Sequence, residues 1–210
     1  MARALAAVHA ERGSDDGVWS RRLHELVGDS RGIMGLTGSY VHSGPHGPAA
    51  RFIDLEQSAN AWRHRLEAHA QRLCRIYGDL QTTQIMCGPA GGMRIVRRDP
   101  TVWGEAAEDV AAVTSSYILF ALHKPPDVHR TFGELHGRFW EAYLSASGDA
   151  DLVTIAQPWL ARRALILANP QLYPEVDEAV RSGLLRYAGR VMGSEIYDYA
   201  RLELYLEDVV

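Results

Sequence analysis

Ile76-Tyr-Gly-Asp-Leu-Gln-Thr-Thr-Gln-Ile-Met86 is the stretch on which the fold turns, because it stands where a helical pattern gives way to a strand pattern. Upstream, Leu55 to about Tyr77 carries Ala59, Trp62, Leu66, Ala70, Leu73 and Ile76 at helical spacing, and Asp54 with Gln57 has the sequence of a capping box. Downstream, Gln84-Ile-Met-Cys87 and Met93-Arg-Ile-Val96 are short strand-like runs. Gly88-Pro-Ala-Gly-Gly92 between them has the composition of a hairpin turn. Gly78 and Asp79 therefore sit at the joint between a long helix and a hairpin.

Working outward, the remaining pattern is helical. After Pro100 the spacing predicts helices to the end of the chain. Glu105 to Leu122 is apolar through its second half, and Thr131-Phe-Gly-Glu134 reads as a capping box before Leu135, Phe139, Trp140 and Tyr143. Asp151 to Ala168 is mostly apolar, with Pro158 expected to kink or divide it. Glu175 to Met192 is amphipathic with acids in its first turn, and residues 195–207 make a last short helix. On the N-terminal side, Trp19 to Val27 is helical. Residues 28–53, rich in Gly, Ser, Pro and His, read as a long irregular connection with an exposed loop at Ser43-Gly-Pro-His-Gly-Pro48. Residues 1–16 stay an unassigned N-terminal segment, with 1–12 read as a short helix or a loose stretch, and 17–210 form one domain. The expected class is mainly α with one small β-hairpin, without βαβ alternation.

Composition narrows the function. The chain has 210 residues, 47% hydrophobic and 23% charged, with a formal net charge of −4. It can bury a core without staples, and it lacks the basic surplus of a nucleic-acid binder. Cys74 and Cys87 form no C-x-x-C pair and have no metal-spaced His nearby, so no metal site is expected from them. No stretch is long and apolar enough for a signal peptide or a membrane span, which leaves the reducing cytoplasm as the expected location.

The order of helix, Gly78-Asp79, an amide residue five positions on, hairpin, Trp103-Gly-Glu and Asp109-Val-Ala-Ala resembles the aminoglycoside phosphotransferase family, whose fold is protein-kinase-like. Members carry His-Gly-Asp, an Asn five residues after the Asp, and a hairpin ending in a metal-binding Asp. In one bacterial branch Trp-Gly-Glu and Ala-Asp-Asp-Val-Ala follow. Trp103-Gly-Glu-Ala-Ala-Glu-Asp-Val-Ala111 tracks that branch, as do Arg163-Ala-Leu-Ile-Leu-Ala-Asn-Pro170 and Tyr173-Pro174. Gly32-Ile-Met-Gly-Leu-Thr-Gly-Ser-Tyr40 resembles the segment before the catalytic helix. The likeness spans roughly residues 17–193.

What the resemblance implies is phosphoryl transfer from ATP to a small-molecule hydroxyl, with Mg²⁺ neutralising the phosphates. ATP and Mg²⁺ enter through the resemblance alone. Asp79 stands at the catalytic base, or survives there as a loop-former. Gln84 stands at the metal-binding Asn, one methylene longer. Arg97 stands where the principal metal-binding Asp belongs, and a guanidinium has no acceptor with which to hold a cation. It reads either as a counter-charge for phosphate or as a salt-bridge partner of Asp79 in a dead site. Asp99 replaces the lost carboxylate if the hairpin shifts by two residues. Tyr77 replaces the family His. Asp109 is expected to brace the loop from below, and Glu105 and Glu108 to be helix-start acids.

The family's β-rich N-terminal lobe has no counterpart in residues 1–16. The expectation is thus the helical C-terminal lobe alone, catalytically impaired, with a second copy or a partner chain covering its bare surface. Two rival expectations stand beside it: an active small-molecule kinase completed by another chain, and a non-catalytic binding scaffold.

Overall fold

The computed structural model describes residues 1–41, 49–88, 92–96, 102–123 and 126–206. Its first helix, α1 (Ala2–His9), makes the unassigned N-terminal segment part of the core, with Leu5, Ala6 and His9 buried. Beyond it, Gly13 N–H donates to Leu73 O and Arg75 N–H to Glu11 O, which ties the segment to the chain ahead of Tyr77. α2 (Asp16–Val27) starts on Asp15, whose carboxylate accepts Val18 N–H, and buries Trp19, Leu23, Leu26 and Val27.

The irregular connection expected over 28–53 is largely helical instead. α3 (Ile33–Val41) and the start of α4 (Ala49–Glu67) occupy most of it, while the loop expected at Ser43–Pro48 lies outside the described residues. Glycine concealed α3. A Cβ on Gly32 or Gly35 would run into the main chain of residues 25–30, so the tight α2–α3 turn demands glycine there. Burial of Ile33, Leu36, Thr37 and Tyr40 then outweighs the low helix propensity.

α4 also corrects the helix expected from Leu55 to Tyr77. It begins before Asp54, so Asp54 and Gln57 lie inside it rather than at its cap, and it ends at Glu67. A 3₁₀ turn (Ala70–Arg72) and a strand, β1 (Cys74–Ile76), take up the remainder. The apolar spacing ran on because Leu73 and Ile76 are buried by a strand as well as they would be by a helix. β2 (Ile85–Cys87) and β3 (Met93–Ile95) form the expected hairpin, with Met86 opposite Arg94. β4 (Val102–Gly104), in a region expected to be helical, pairs antiparallel with β1, setting Arg75 opposite Trp103. Arg75 also stacks its guanidinium on the Trp103 ring, 4.4 Å from the centroid. Strands of three residues are too short to show an alternating pattern.

The rest is helical: α5 (Ala106–His123), α6 (Pro126–Ser147), α7 (Leu152–Ile155), α8 (Gln157–Ala168), α9 (Glu178–Met192) and α10 (Glu203–Leu206). Thr131 and Glu134 lie within α6 and do not cap it, because the helix starts at Pro126. Pro158 divides the 151–168 stretch as expected and sits in the first turn of α8, where a missing N–H costs nothing. α5 is the axis of the bundle, packed by α6, α8 and α9. Gly183 lets α9 close on Leu122, whose side chain would lie 2.7 Å from an added Cβ. Trp140, Tyr187, Tyr197 and Tyr205 pack edge to face and tilted in the far core, as packing aromatics. The structure is mainly α with small antiparallel sheets. No helix among the described residues is long and apolar enough to cross a membrane.

Candidate functional site

After β1 the chain must reverse before the 3₁₀ turn Thr82–Gln84. Gly78 and Asp79 make that reversal with φ of 62° and 70°, and Asp79 is the one non-glycine residue at positive φ among the described residues. The left-handed region costs glycine nothing, whereas a side chain there is strained by about 1–3 kcal/mol unless its surroundings hold it. Asp79 is held. Its Oδ1 accepts from Arg163 at 2.6 Å and its Oδ2 from Gln81 Nε2 at 3.2 Å.

The turn is braced from beneath, in the way its place in the sequence suggested. Asp109, fully buried in the first turn of α5, accepts Tyr77 N–H at 2.6 Å through Oδ2. The same oxygen lies 3.3 Å from Nε2 of His9, and Nδ1 of His9 lies 2.6 Å from the Tyr143 hydroxyl. The tautomer that satisfies both contacts donates from Nε2 to Asp109 and accepts Tyr143 O–H at Nδ1. α1 thus supports the Asp79 turn through a chain of buried hydrogen bonds.

Above the brace, Asp79 lines a cleft of about 310 Å³ together with Arg31, Glu108, Trp159, Arg162 and Arg163. Leu172 and Tyr173 form an apolar and aromatic wall. Arg163 is 8% exposed and also donates to Ser115 Oγ at 3.3 Å. Glu108 accepts from Arg22, and its other oxygen lies 3.8 Å from Arg162. Arg162 Nε donates to the main-chain oxygen of Arg31 at 2.9 Å. Burial pushes the Arg162 guanidinium below its ordinary range. Glu108 and Asp79 oppose that shift, while Arg22 and Arg163 add to it.

The residues singled out from sequence divide four ways. Asp79 is at the cleft. Gln84 turns its side-chain oxygen back to accept Gln81 N–H at 3.1 Å, so that oxygen serves the loop. Arg97 and Asp99 lie outside the described residues, and the Asp79 partner seen here is Arg163. Glu105 stands at the start of α5, as expected, with its carbonyl accepting Glu108 N–H. It is buried behind the turn and grips Arg72 at 3.0 and 3.1 Å, and Arg72 also pairs with Asp149. Arg31, Glu108, Arg162 and Arg163 were not read as site residues. The available signal was Arg162-Arg163, two adjacent charges inside an otherwise apolar helix, which must find partners to be buried there.

Magnesium does not fit the described part of this site. The ion needs near-octahedral oxygen ligands, yet the Gln84 oxygen is spent on its own loop and the Arg163 guanidinium, 2.6 Å from Asp79, repels a cation there. No three His, Cys, Asp or Glu side chains converge among the described residues. What the cleft offers chemically is a half-exposed carboxylate that can accept from a hydroxyl, beside several guanidinium donors. Comparison of the chain with models of known families, with characterised proteins and with solved structures returns no match.

Proposed function

We propose that residues 17–210 form the acceptor-side lobe of a phosphotransferase-like protein that binds a small hydroxylated molecule at Asp79 without transferring phosphate on its own. The observation that carries this reading is Asp79 itself: a strained backbone at the rim of a cleft, braced by Asp109 and held by Arg163. Strain of this kind persists where the surroundings over-determine a functional position. The absence of phosphoryl transfer rests on Gln84, whose amide oxygen is turned into its own loop, and on the Arg163 guanidinium 2.6 Å from Asp79, a fixed positive charge where a metal ion would approach. ATP and Mg²⁺ belong to this proposal only as test ligands.

One observation favours the rival, an active kinase completed by another chain. The Asp79 side chain is 51% exposed, open enough for an acceptor hydroxyl to reach. The same proposal places the protein in the cytoplasm, where the free thiols of Cys74 and Cys87 stay reduced. It also includes self-association through the exposed side chains of Met86, Val96 and Val102 on and beside the hairpin, which sedimentation at micromolar concentration reads.

Calorimetric titration with ATP, with and without Mg²⁺, separates the two readings. The expected result is no magnesium-dependent binding. Magnesium-dependent binding that vanishes in Asp79→Asn would replace the impaired reading with the active one.

A further inference from the structure

Among the described residues, the charges lining the cleft do not cancel. Of the three arginines lining it, Arg163 is matched by Asp79 at 2.6 Å, and Arg162 faces Glu108 at 3.8 Å. Glu108 is shared, since it also accepts from Arg22 on the opposite side. Arg31 lies on the exposed rim, and its guanidinium makes no hydrogen bond or ion pair among the described residues. Its main chain is nevertheless fixed, because Arg162 holds its carbonyl at 2.9 Å. The α2–α3 turn that presents Arg31 is locked by Gly32 and Gly35 packing on main-chain oxygens. An uncompensated guanidinium on a fixed backbone is a pre-organised donor, and its planar fork suits carboxylate or phosphate oxygens.

We propose that the Asp79 cleft selects a small hydroxylated anion, with Arg31 and Arg162 receiving its carboxylate or phosphate and Asp79 accepting from its hydroxyl. This rests on the reading of Asp79 as the acceptor-side residue, but it inverts the charge of the ligand that the family name implies. A polycation entering the cleft meets Arg31, Arg162 and Arg163, while the carboxylates that would attract it are already engaged. Arg162 reinforces the preference. It is a partly buried cation with Arg22 and Arg163 as like-charged neighbours, and a bound anion relieves that repulsion. The cleft, at about 310 Å³, is at the lower end of small-molecule sites, so the ligand is of monosaccharide size. Trp159, Leu172 and Tyr173 offer its carbon skeleton an apolar wall.

Calorimetry with the full chain at low salt tests this, using gluconate, glucose 6-phosphate and inorganic phosphate as anions and the aminoglycoside neamine as the cation. Gluconate or glucose 6-phosphate is expected to bind, to weaken as salt rises, and to lose about tenfold or more in affinity in Arg31→Ala. Neamine is expected to bind more weakly than either. Gluconate and glucose 6-phosphate distinguish a carboxylate ligand from a phosphate ester, and phosphate alone shows whether the anion subsite acts without the hydroxyl. Arg31→Ala removes an exposed side chain that makes no hydrogen bond or ion pair among the described residues, so the fold survives it.

Neamine binding more tightly than the anions, anion binding indifferent to Arg31→Ala, or no anion binding would each overturn the proposal. The acceptor-side reading fails separately. Anion binding that needs Arg31 but is unchanged in Asp79→Asn would leave an anion site with no acceptor role for Asp79.

Discussion

Two arginine–carboxylate clusters lie on opposite sides of the same turn, and they are built differently. Behind it, Arg72 is 8% exposed, fills its donor fork with Glu105 and Asp149, and leaves Glu105 only 2% exposed. Burial raises the Glu105 carboxyl while Arg72 holds it down, and Arg72 is pushed up by Asp149 and Glu105 against the burial that would lower it. In front, Asp79 is half exposed, Glu108 is divided between Arg22 and Arg162, and Arg31 is left over. A saturated, dry ion pair has no capacity for a ligand and holds the fold. An unsaturated, wetted one contributes little to stability and keeps donors available.

The contrast breaks most sharply at Arg72. Arg72→Met strands Glu105 and Asp149 without their cation and is expected to cost about 3–5 kcal/mol in urea unfolding. A loss under about 1 kcal/mol would show that the rear cluster is as dispensable as the front one. The next largest effect is on pH dependence.

His136 is fully buried. Its Nδ1 faces Tyr199 O at 3.2 Å and so carries the proton, leaving Nε2 to accept from Tyr197 O–H at 3.1 Å. Burial lowers its pKa from 6.5 to about 4, with the Tyr199 hydrogen bond opposing. Between those values the unfolded chain binds a proton that the folded chain refuses, so stability present at pH 7 drains away as pH falls from 6.5 towards 4. The loss is on the order of 3 kcal/mol. Unfolding midpoints of the native chain and of His136→Gln should converge as pH falls across this window. Parallel curves would mean that this buried site, like the paired rear cluster, accommodates charge.

The smallest effect is expected in front. Arg163 is as buried as Arg72, but its partner Asp79 is half exposed, so Arg163→Met strands no buried carboxylate and the loss should stay at about 1 kcal/mol. A loss comparable to that of Arg72→Met would erase the distinction between the clusters and make the Asp79 pair a fold element.

Much of this was legible along the chain, and the failures share a cause. The hairpin at 85–95 was readable because its turn chemistry is local, and α8 because Pro158 marks its start. α3 was hidden by glycines whose purpose is a close approach to the main chain of residues 25–30, which composition does not report. The helix over 55–77 was read too long because Leu66, Ala70, Leu73 and Ile76 keep a helical spacing through a turn and into a strand. At the site, Asp79 stood out by its motif, and Asp109 by its place at the start of an apolar helix. The arginines did not, because their meaning lies in partners 84 residues away for Arg163 and 86 for Arg22.

The sequence by itself determined a mainly helical chain, a small hairpin, and a Gly78-Asp79 joint between a helical and a strand pattern. Those features follow from periodicity and from the backbone limits of glycine and proline, which act over a few residues. Only the tertiary structure decided that β1 pairs with β4 and that α1 supports the turn through His9. It also decided which arginines meet which carboxylates. Coulomb and hydrogen-bond energies depend on distance and burial, and packing sets both between residues far apart in the chain.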